Sequence, residues 1–391
     1  MTVPILLKII FAISLLLFLH SYIFYPLIIK LISIFKKKLK TSPNSNNSVS
    51  IIIAAYNEEK TIEERINNLA NSDFDFEKME VIVGSDGSND RTFEILNSLK
   101  NKFSWLKIFN YLERRGKSAV LNDLVKEAKN EMLIFTDANT IFEKDTVKQL
   151  ASSFASEEIG GVCGRLNLTN QKYKSSGSSD EISYWRYEIF IKQAEGDCNI
   201  LIGSNGGNYA IRKSLFEPLP IDKPVTDDLF ITLNVLSKNY KFIYNNDAIG
   251  YEEVSPGVLH EFRRKVRFAA SNFQSLVLLK KLLFSKNILL SFAFWSHKIL
   301  RWIMPFIFMT LFISNIFLLN YSVSPIYYYI FYLQLIWIVL SIIGLFLDLV
   351  KVRVPILSLF YFFALTNIAL VFGFFRFLTG KHKAYWQSTP R

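Results

Sequence analysis

The sequence predicts an α/β domain carried on transmembrane helices, and three observations lead there. Long runs without Lys, Arg, Asp or Glu lie towards both ends of the 391-residue chain. Between them, short β-branched runs alternate with helical patterns, as in a mostly parallel sheet with crossover helices. The composition also demands burial: 50% of residues are hydrophobic, 35 are Phe, and mean hydropathy is +0.22 although 20% are charged. So apolar a chain excludes disorder as its main state. Two cysteines, Cys163 and Cys198, are too few for a disulfide-built secreted module and read as reduced core residues. The formal charge of +11 suits nucleic acid, anionic lipid or a phosphorylated ligand.

The uncharged runs are Ile9 to Ile29, Trp302 to Leu347 (broken near Asn320 to Pro325) and Val354 to Phe375. About 20 apolar residues cross a bilayer core, so four crossings are expected. The first is too long for a cleaved signal peptide, and no small-residue cleavage site follows it. Lys36, Lys37, Lys38 and Lys40 follow instead, which places the next segment in the cytoplasm by the positive-inside rule. The expected localisation is the inner (plasma) membrane, multi-pass, with the domain cytoplasmic. The expected divisions are a first span and basic flank (1–40), a cytoplasmic domain (41–257), amphipathic interface helices (258–300), three spans (301–378) and a basic tail (379–391). Three crossings after the domain put that tail outside, yet Arg376, Lys381, Lys383 and Arg391 make it basic. Asn287 to His297 reads as an in-plane segment, or as a re-entrant dip that reconciles the charges.

After a polar linker at Thr41 to Ser48, Val49 to Ile53 reads as a buried strand. Ile62, Ile66 and Leu69 then share one face of a helix from Thr61 to Ala70. Strands at Glu80 to Val83, Leu106 to Tyr111 and Met132 to Phe135 alternate with helices from Arg91 and over Lys117 to Lys129. In such sheets ligands bind beyond the carboxyl ends of the strands. There the chain places Tyr56-Asn57-Glu58, then Asp86 in Gly84-Ser85-Asp86-Gly87-Ser88-Asn89-Asp90, then Arg115-Gly116-Lys117, then Asp137-Ala138-Asn139. Oxygen donors for a divalent cation, a lysine for phosphate and an aromatic ring for a base suit a nucleoside diphosphate. By itself Asp-Gly-Ser-Asn-Asp reads equally as a turn and helix cap. No dinucleotide fingerprint, phosphate loop or nucleophile elbow is present.

These residues resemble the membrane-integrated inverting glycosyltransferases of family 2, relatives of the cellulose, hyaluronan and poly-N-acetylglucosamine synthases, over about Ser50 to Gln274. The resemblance implies a GT-A fold, a nucleotide-sugar-binding α/β domain flanked by transmembrane helices. It implies that Tyr56, Asn57 and Glu58 hold the base, that Asp86 lies beside the nucleoside and that Lys117 touches the diphosphate. Asp137 and Asn139 stand at the D-x-D metal motif, with an amide replacing the second acid, and the implied cofactor is Mg2+ or Mn2+. Gly203-Ser204-Asn205 resembles an acceptor-side loop. Thr226-Asp227-Asp228 resembles T-E-D, whose last acid is the catalytic base, here Asp228. Arg264-Lys265-Val266-Arg267-Phe268 resembles Q-x-x-R-W with Arg for Gln and Phe for Trp, departures that weaken a processive reading. Ser204, Asn205, Asp227, Arg264 and Arg267 are thereby candidates for the acceptor or diphosphate.

The implied reaction transfers a sugar from a nucleotide-sugar, a UDP-sugar by the base motif, to a lipid-linked or polysaccharide acceptor at the cytoplasmic face, in polysaccharide or glycolipid synthesis. Asp227 and Asp228 also open a helix, where acids are favoured regardless of function. Helix Val258 to Lys280 carries Leu259, Phe262, Val266, Ala269, Phe273 and Leu276 on one face, with Arg264 and Arg267 on another. It reads as an interfacial helix whose arginines reach a diphosphate, or as a solvated basic face near anionic headgroups. Tyr184, Trp185, Tyr187 and Phe190, within Ser179 to Glu195, suit an interfacial belt or a plain core. The alternative function is a catalytically inactive, membrane-anchored nucleotide or polyanion-binding protein. Transport is disfavoured because ionisable residues are scarce in the spans, His20 apart. Nucleic acid is not an expected partner, because the basic residues flank membrane segments. Three C-terminal spans are few for a self-contained polymer channel, which leaves membrane lipids, a homo-oligomer or polysaccharide-assembly subunits as candidate partners.

Overall fold

The computed structural model describes residues 2–36, 39, 47–169, 176–253, 258–321, 324–350, 352 and 354–380; side chains at 176–181 and 258–259 are not among those described. Lys37, Lys38, Lys40, most of the polar linker, the side chain of Leu259 and the tail from Lys381 lie outside them.

Eight strands form one sheet: β1 (Val49–Ala55), β2 (Met79–Asp86), β3 (Leu106–Tyr111), β4 (Met132–Phe135), β5 (Ile141–Phe142), β6 (Ile159–Thr169), β7 (Tyr209–Arg212) and β8 (Lys241–Glu253). Their order is β3-β2-β1-β4-β7-β6-β8-β5. The first four strands are parallel, as the alternation predicts. Beyond β4 the sheet is mixed: β7 runs antiparallel to both β4 and β6, β8 is parallel to β6, and β5 is antiparallel to β8. Helices still separate most strands beyond β4, but there the strand direction alternates and the sheet is no longer all parallel.

Side chains alternate across a strand, and β1 divides its own between two cores. Ile51 and Ile53 join Val81, Val83 and Ile134 beneath Ile62, Ile66 and Leu69 of helix Ile62–Ala70. Ile52 joins Ile82, Leu133 and Phe135 on the other face, under Leu121 and Leu124 of helix Lys117–Glu127. Tyr25 and Ile29 of the first apolar helix belong to this second core and are fully buried. The N-terminal helix therefore roots directly into the domain.

Among the described residues four helices are long and apolar enough to cross a membrane: Val3–Phe35, Met304–Tyr321, Pro325–Leu349 and Pro355–Leu378. The first contains a π-helical turn, His20–Phe24, seated against a second, Phe294–Ile299. There His20 Nε2 lies 2.8 Å from Ser296 Oγ. The segment expected in plane is helical at Ile288–Ala293 and continues through that π-turn, with Phe294 and His297 buried. Helix Val258–Leu278 lays its apolar stripe on protein: Phe262 meets Phe372, and Phe273 meets Phe374 and Phe377. Gly373 permits this contact, since a Cβ there would stand 2.3 Å from the Ala269 Cβ.

In helix Ser176–Asp197 the predicted belt aromatics also serve packing. Trp185 donates to the Leu166 carbonyl at 2.6 Å and Tyr187 to the Tyr22 carbonyl at 2.8 Å, while Phe190 stays partly exposed. Both cysteines are buried and unpaired, as expected.

Candidate active site

Past the carboxyl edge of β1 and β4 lies a cavity of about 840 Å³. Lys117 opens the helix that follows Gly116, whose φ of +90° turns the chain towards the edge. Asp86 holds that turn: its two carboxylate oxygens accept from the backbone N–H of Arg115 at 2.6 Å and of Gly116 at 2.9 Å. Asp86 is fully buried, so here it shapes the phosphate-side loop and presents no surface to a nucleoside. Lys117 Nζ lies 2.9 Å from Asp137 Oδ1 and 2.9 Å from Asp227 Oδ2. Burial opposes the lysine charge, but these two carboxylates outweigh it and raise its pKa.

Asp227 and Asp228 begin helix Asp227–Ser237, where unpaired backbone N–H groups favour acids. Thr226 is tied to helix Val258–Leu278 by a 2.9 Å bond to Asn272. Asp228 Oδ1 accepts from the Leu229 N–H at 2.7 Å, and its other oxygen faces Gly206. Burial, and then the neighbouring Asp227 charge, push the Asp228 carboxyl up to about 6. A carboxylate poised there can accept a proton near neutrality.

The base motif lies at the rim. Glu58 lines the cavity and accepts from Thr61 Oγ1 at 2.7 Å. Asn57, at φ +54°, exchanges side-chain bonds with Asn89 at 2.7 and 3.0 Å. The Arg114 guanidinium stacks 3.7 Å above the Tyr56 ring. Ser204 and Asn205 form the far wall with their polar atoms engaged: Ser204 N–H donates to Thr232 Oγ1, and Asn205 Nδ2 to the Gly164 carbonyl. These bonds fix the 203–207 loop against the cavity. Arg264 and Arg267 both line the cavity. Arg264 pairs with Glu261 at 2.7 Å, whereas Arg267 has no carboxylate in salt-bridge range among the described residues. Burial and the neighbouring Arg264 lower the Arg267 pKa.

A divalent cation fits these residues in one manner. Among the described residues no three His, Cys, Asp or Glu side chains surround a common point. Asp137 and Asn139 both line the cavity, and the buried Asn139 Nδ2 has no hydrogen-bond partner. A half-turn of that amide would exchange its nitrogen for oxygen. Two oxygen donors, with substrate phosphate and water supplying the rest, are the usual Mg2+ arrangement.

Sequence reasoning missed the other wall. Lys192 is buried and donates to the Ser204 carbonyl at 3.0 Å and Asn205 Oδ1 at 2.5 Å. His297 joins two buried acids, Glu195 at 2.6 Å and Glu188 at 3.1 Å, and Arg301 also pairs with Glu188. Glu188, Lys192 and Glu195 recur at helical spacing, a polar stripe in a segment read only for its aromatics. Arg65 is fully buried beneath the metal loop, donating to Thr136 Oγ1 at 3.0 Å, and burial lowers it to about 9.

A cavity holding acids and lysines at the carboxyl edge of such a sheet defines a GT-A type of site. Residues 50–219 match the family model "Glycosyl transferase family 2". It is 26% identical over 230 residues to "Probable glycosyltransferase YdaM" of Bacillus subtilis, covering 57% of this chain and 55% of that protein. It is 23% identical over 278 residues to the "Poly-beta-1,6-N-acetyl-D-glucosamine synthase" of Staphylococcus aureus, covering 66% of each. The match thus spans between half and two thirds of these relatives. Among solved structures, a mannosyltransferase (PcManGT) from Pyrobaculum calidifontis, in complex with GDP-Man and Mn2+, shares the fold. Its TM-score is 0.68 at 20% identity, over 94% of this chain and 99% of that one.

Proposed function

We propose that the protein is a membrane-bound inverting glycosyltransferase that moves a sugar from a nucleotide-sugar, a UDP-sugar, to a lipid-linked or glycan acceptor at the cytoplasmic face. The observation that carries this reading is the convergence of Lys117, Asp137, Asp227 and Asp228 on one cavity. Asp228 takes the proton from the acceptor hydroxyl. The freed oxygen forms its bond to the anomeric carbon as the bond from that carbon to the diphosphate breaks, and UDP carries away the electron pair. Lys117 exchanges a carboxylate partner for diphosphate oxygen and stabilises the charge building there. Asp137 and Asn139 would hold the divalent cation, which supplies Lewis-acid neutralisation of the diphosphate when bound. Tyr56, Asn57 and Glu58 frame the base at the rim.

The test uses membranes containing the full chain, radiolabelled UDP-sugars and Mg2+ or Mn2+. The expected outcome is label in an acceptor with stoichiometric UDP release, lost in Asp228→Asn while donor binding persists. Equal UDP release by both proteins removes the base assignment. Donor binding without turnover by the unaltered chain identifies it instead as an inactive nucleotide-binding protein.

A further inference from the structure

Resting on that reading, we propose that the acceptor is a lipid whose headgroup carries a phosphate close to the attacking hydroxyl. The cavity does not end at Asp228. It continues past Lys192 and Lys298 to Tyr22 of the first apolar helix and to Leu359, Phe362 and Phe363 of the last. Its two ends differ in chemistry. Around Asp137 the cation Lys117 is matched by carboxylates. Beyond Asp228, Lys192 has a carbonyl and an amide oxygen as its acceptors among the described residues. Lys298 Nζ lies 3.4 Å from His297 Nε2, on a ring whose nitrogens also face Glu195 and Glu188.

Neither lysine has a carboxylate in salt-bridge range among the described residues, and burial lowers the Lys298 pKa although Glu188 and Glu195 oppose it from farther off. Buried cations without a direct carboxylate contact beside a cavity favour an anionic occupant. Gly203 would place a Cβ 3.7 Å from Lys298 Nζ, and Gly206 one 3.6 Å from Asp228 Oδ2. One short loop thus presents the cation and the base to the same ligand. The apolar rings beyond Lys298 receive the hydrocarbon. Farther along, Asn367 Oδ1 is buried in the cavity wall without a partner and accepts a headgroup hydroxyl.

The experiment reconstitutes the full chain in vesicles of phosphatidylcholine alone or with 20 mol% phosphatidylglycerol, a phosphodiester with free hydroxyls. A parallel arm adds in its place a polyprenyl diphosphate-linked monosaccharide, which also carries free hydroxyls beside phosphate. Radiolabelled nucleotide-sugar is supplied, and label is partitioned between organic and aqueous phases. Organic-phase label that needs phosphatidylglycerol or the polyprenyl lipid and is absent with phosphatidylcholine alone, falling at least tenfold in Lys298→Met but recovering in Lys298→Arg, is the expected result. The arm that yields it identifies the lipid source. UDP release with all label in an aqueous glycan overturns the lipid acceptor, equal lipid labelling by Lys298→Met overturns the phosphate contact at Lys298, and either leaves the transferase reading intact. No UDP release from the unaltered chain in any arm overturns both.

A second inference rests on the course of the last helix: the geometry points to Pro355–Leu378 lying along the domain-facing side of the bilayer without crossing it. The preceding helix, Pro325–Leu349, starts at a cluster of Phe11, Leu311, Leu318 and Tyr327 remote from the domain. Its 25 residues rise roughly 37 Å and return the chain to the domain side. The far end of the last helix is on that side too, since Leu370, Phe374 and Phe377 pack on the core that holds Leu133 and Phe135. Phe363 meets Phe308, while Phe374, roughly 16 Å farther along its own helix, meets Phe306, only about 3 Å from Phe308 along the other. The two helices therefore cross steeply. This course puts Arg376 on the cytoplasmic side, and the sequence from Asn320 to Pro325 holds no Lys or Arg.

Ser324→Cys and Ser388→Cys variants are exposed to a membrane-impermeant maleimide on intact cells. Labelling of Ser324→Cys alone, with Ser388→Cys labelled only after permeabilisation, is expected. Labelling of Ser388→Cys in intact cells overturns the inference.

Discussion

The two walls around Asp228 solve the same electrostatic problem differently. On the wall built from the parallel strands, Lys117 sits between Asp137 and Asp227 at 2.9 Å from each, so charge is balanced inside the protein. On the wall built by helix Ser176–Asp197 and the π-turn Phe294–Ile299, Glu188 and Glu195 contact Arg301, His297 and Tyr25, and Lys192 and Lys298 have no carboxylate in salt-bridge range among the described residues. A balanced wall suits a ligand that brings its own cation, because metal and diphosphate arrive together. A wall whose lysines lack a direct carboxylate contact suits an anion arriving alone. On the proposed function the first wall is the donor side and the second the acceptor side.

The change expected to break this comparison most severely is Asp228→Asn. Loss of base assistance lowers transfer by roughly 10²–10⁴-fold with donor affinity kept. The pH profile adds a second reading. With the carboxyl at about 6, transfer rises about tenfold per unit below that value and levels above it. The variant loses this limb. Stability moves the opposite way. The folded state binds the Asp228 proton more tightly than the unfolded chain, whose carboxyl titrates near 4. Stability therefore falls as pH rises from about 4 to about 6, and the penalty is complete above. Asp228→Asn carries no charge, so its melting temperature exceeds that of the unaltered protein at pH 7 to 8. The gap closes below about pH 4. A constant gap across that range shows that the carboxylate is not strained.

The two walls were unequally legible in the sequence. Strands β1 to β4 announce themselves by β-branched runs at regular spacing, and each delivers its loop to one edge. Lys117, Asp137 and Asn139 could therefore be brought together before any coordinates. Asp86 was legible in place, but its bonds to the Arg115 and Gly116 amides were not, because they are set by a loop closure that no spacing reveals. Lys192, Lys298 and Arg301 come from segments far apart in the chain, joined only when the first apolar helix docks through Tyr25 into the domain. Nothing local marks them except the Glu188-Lys192-Glu195 stripe. The first apolar helix and Met304–Tyr321 stood out as uncharged runs. The course of Pro355–Leu378 did not, because length and apolarity are the same for a helix that crosses and one that lies against protein.

Lys117→Met sharpens the donor side. It removes a charge-assisted contact to the diphosphate, worth about 1.5–3 kcal/mol, or roughly 10–100-fold in donor Kd. It also leaves Asp137 and Asp227 without their common cation, so binding of nucleotide with metal should weaken less than binding of nucleotide alone. Titration of UDP with and without Mn2+ measures both. Equal losses in the two titrations show that Lys117 serves phosphate only and does not balance the acids.

The smallest effect tests the departure from D-x-D. Asn139 offers an amide at the position of a second carboxylate, and its buried Nδ2 has no partner. Asn139→Asp adds a charge to the donor set, and the affinity of oxygen sites for hard cations grows with ligand charge. The Mn2+ concentration for half-maximal transfer should fall severalfold in the variant. The same acid adds a third negative charge near Lys117, so without metal the variant binds donor more weakly than the unaltered chain. These opposite signs belong only to a residue facing the cation. A residue that merely fills the loop would shift both in the same direction, through stability, and a metal titration superimposable on that of the unaltered protein would remove Asn139 from the balanced wall.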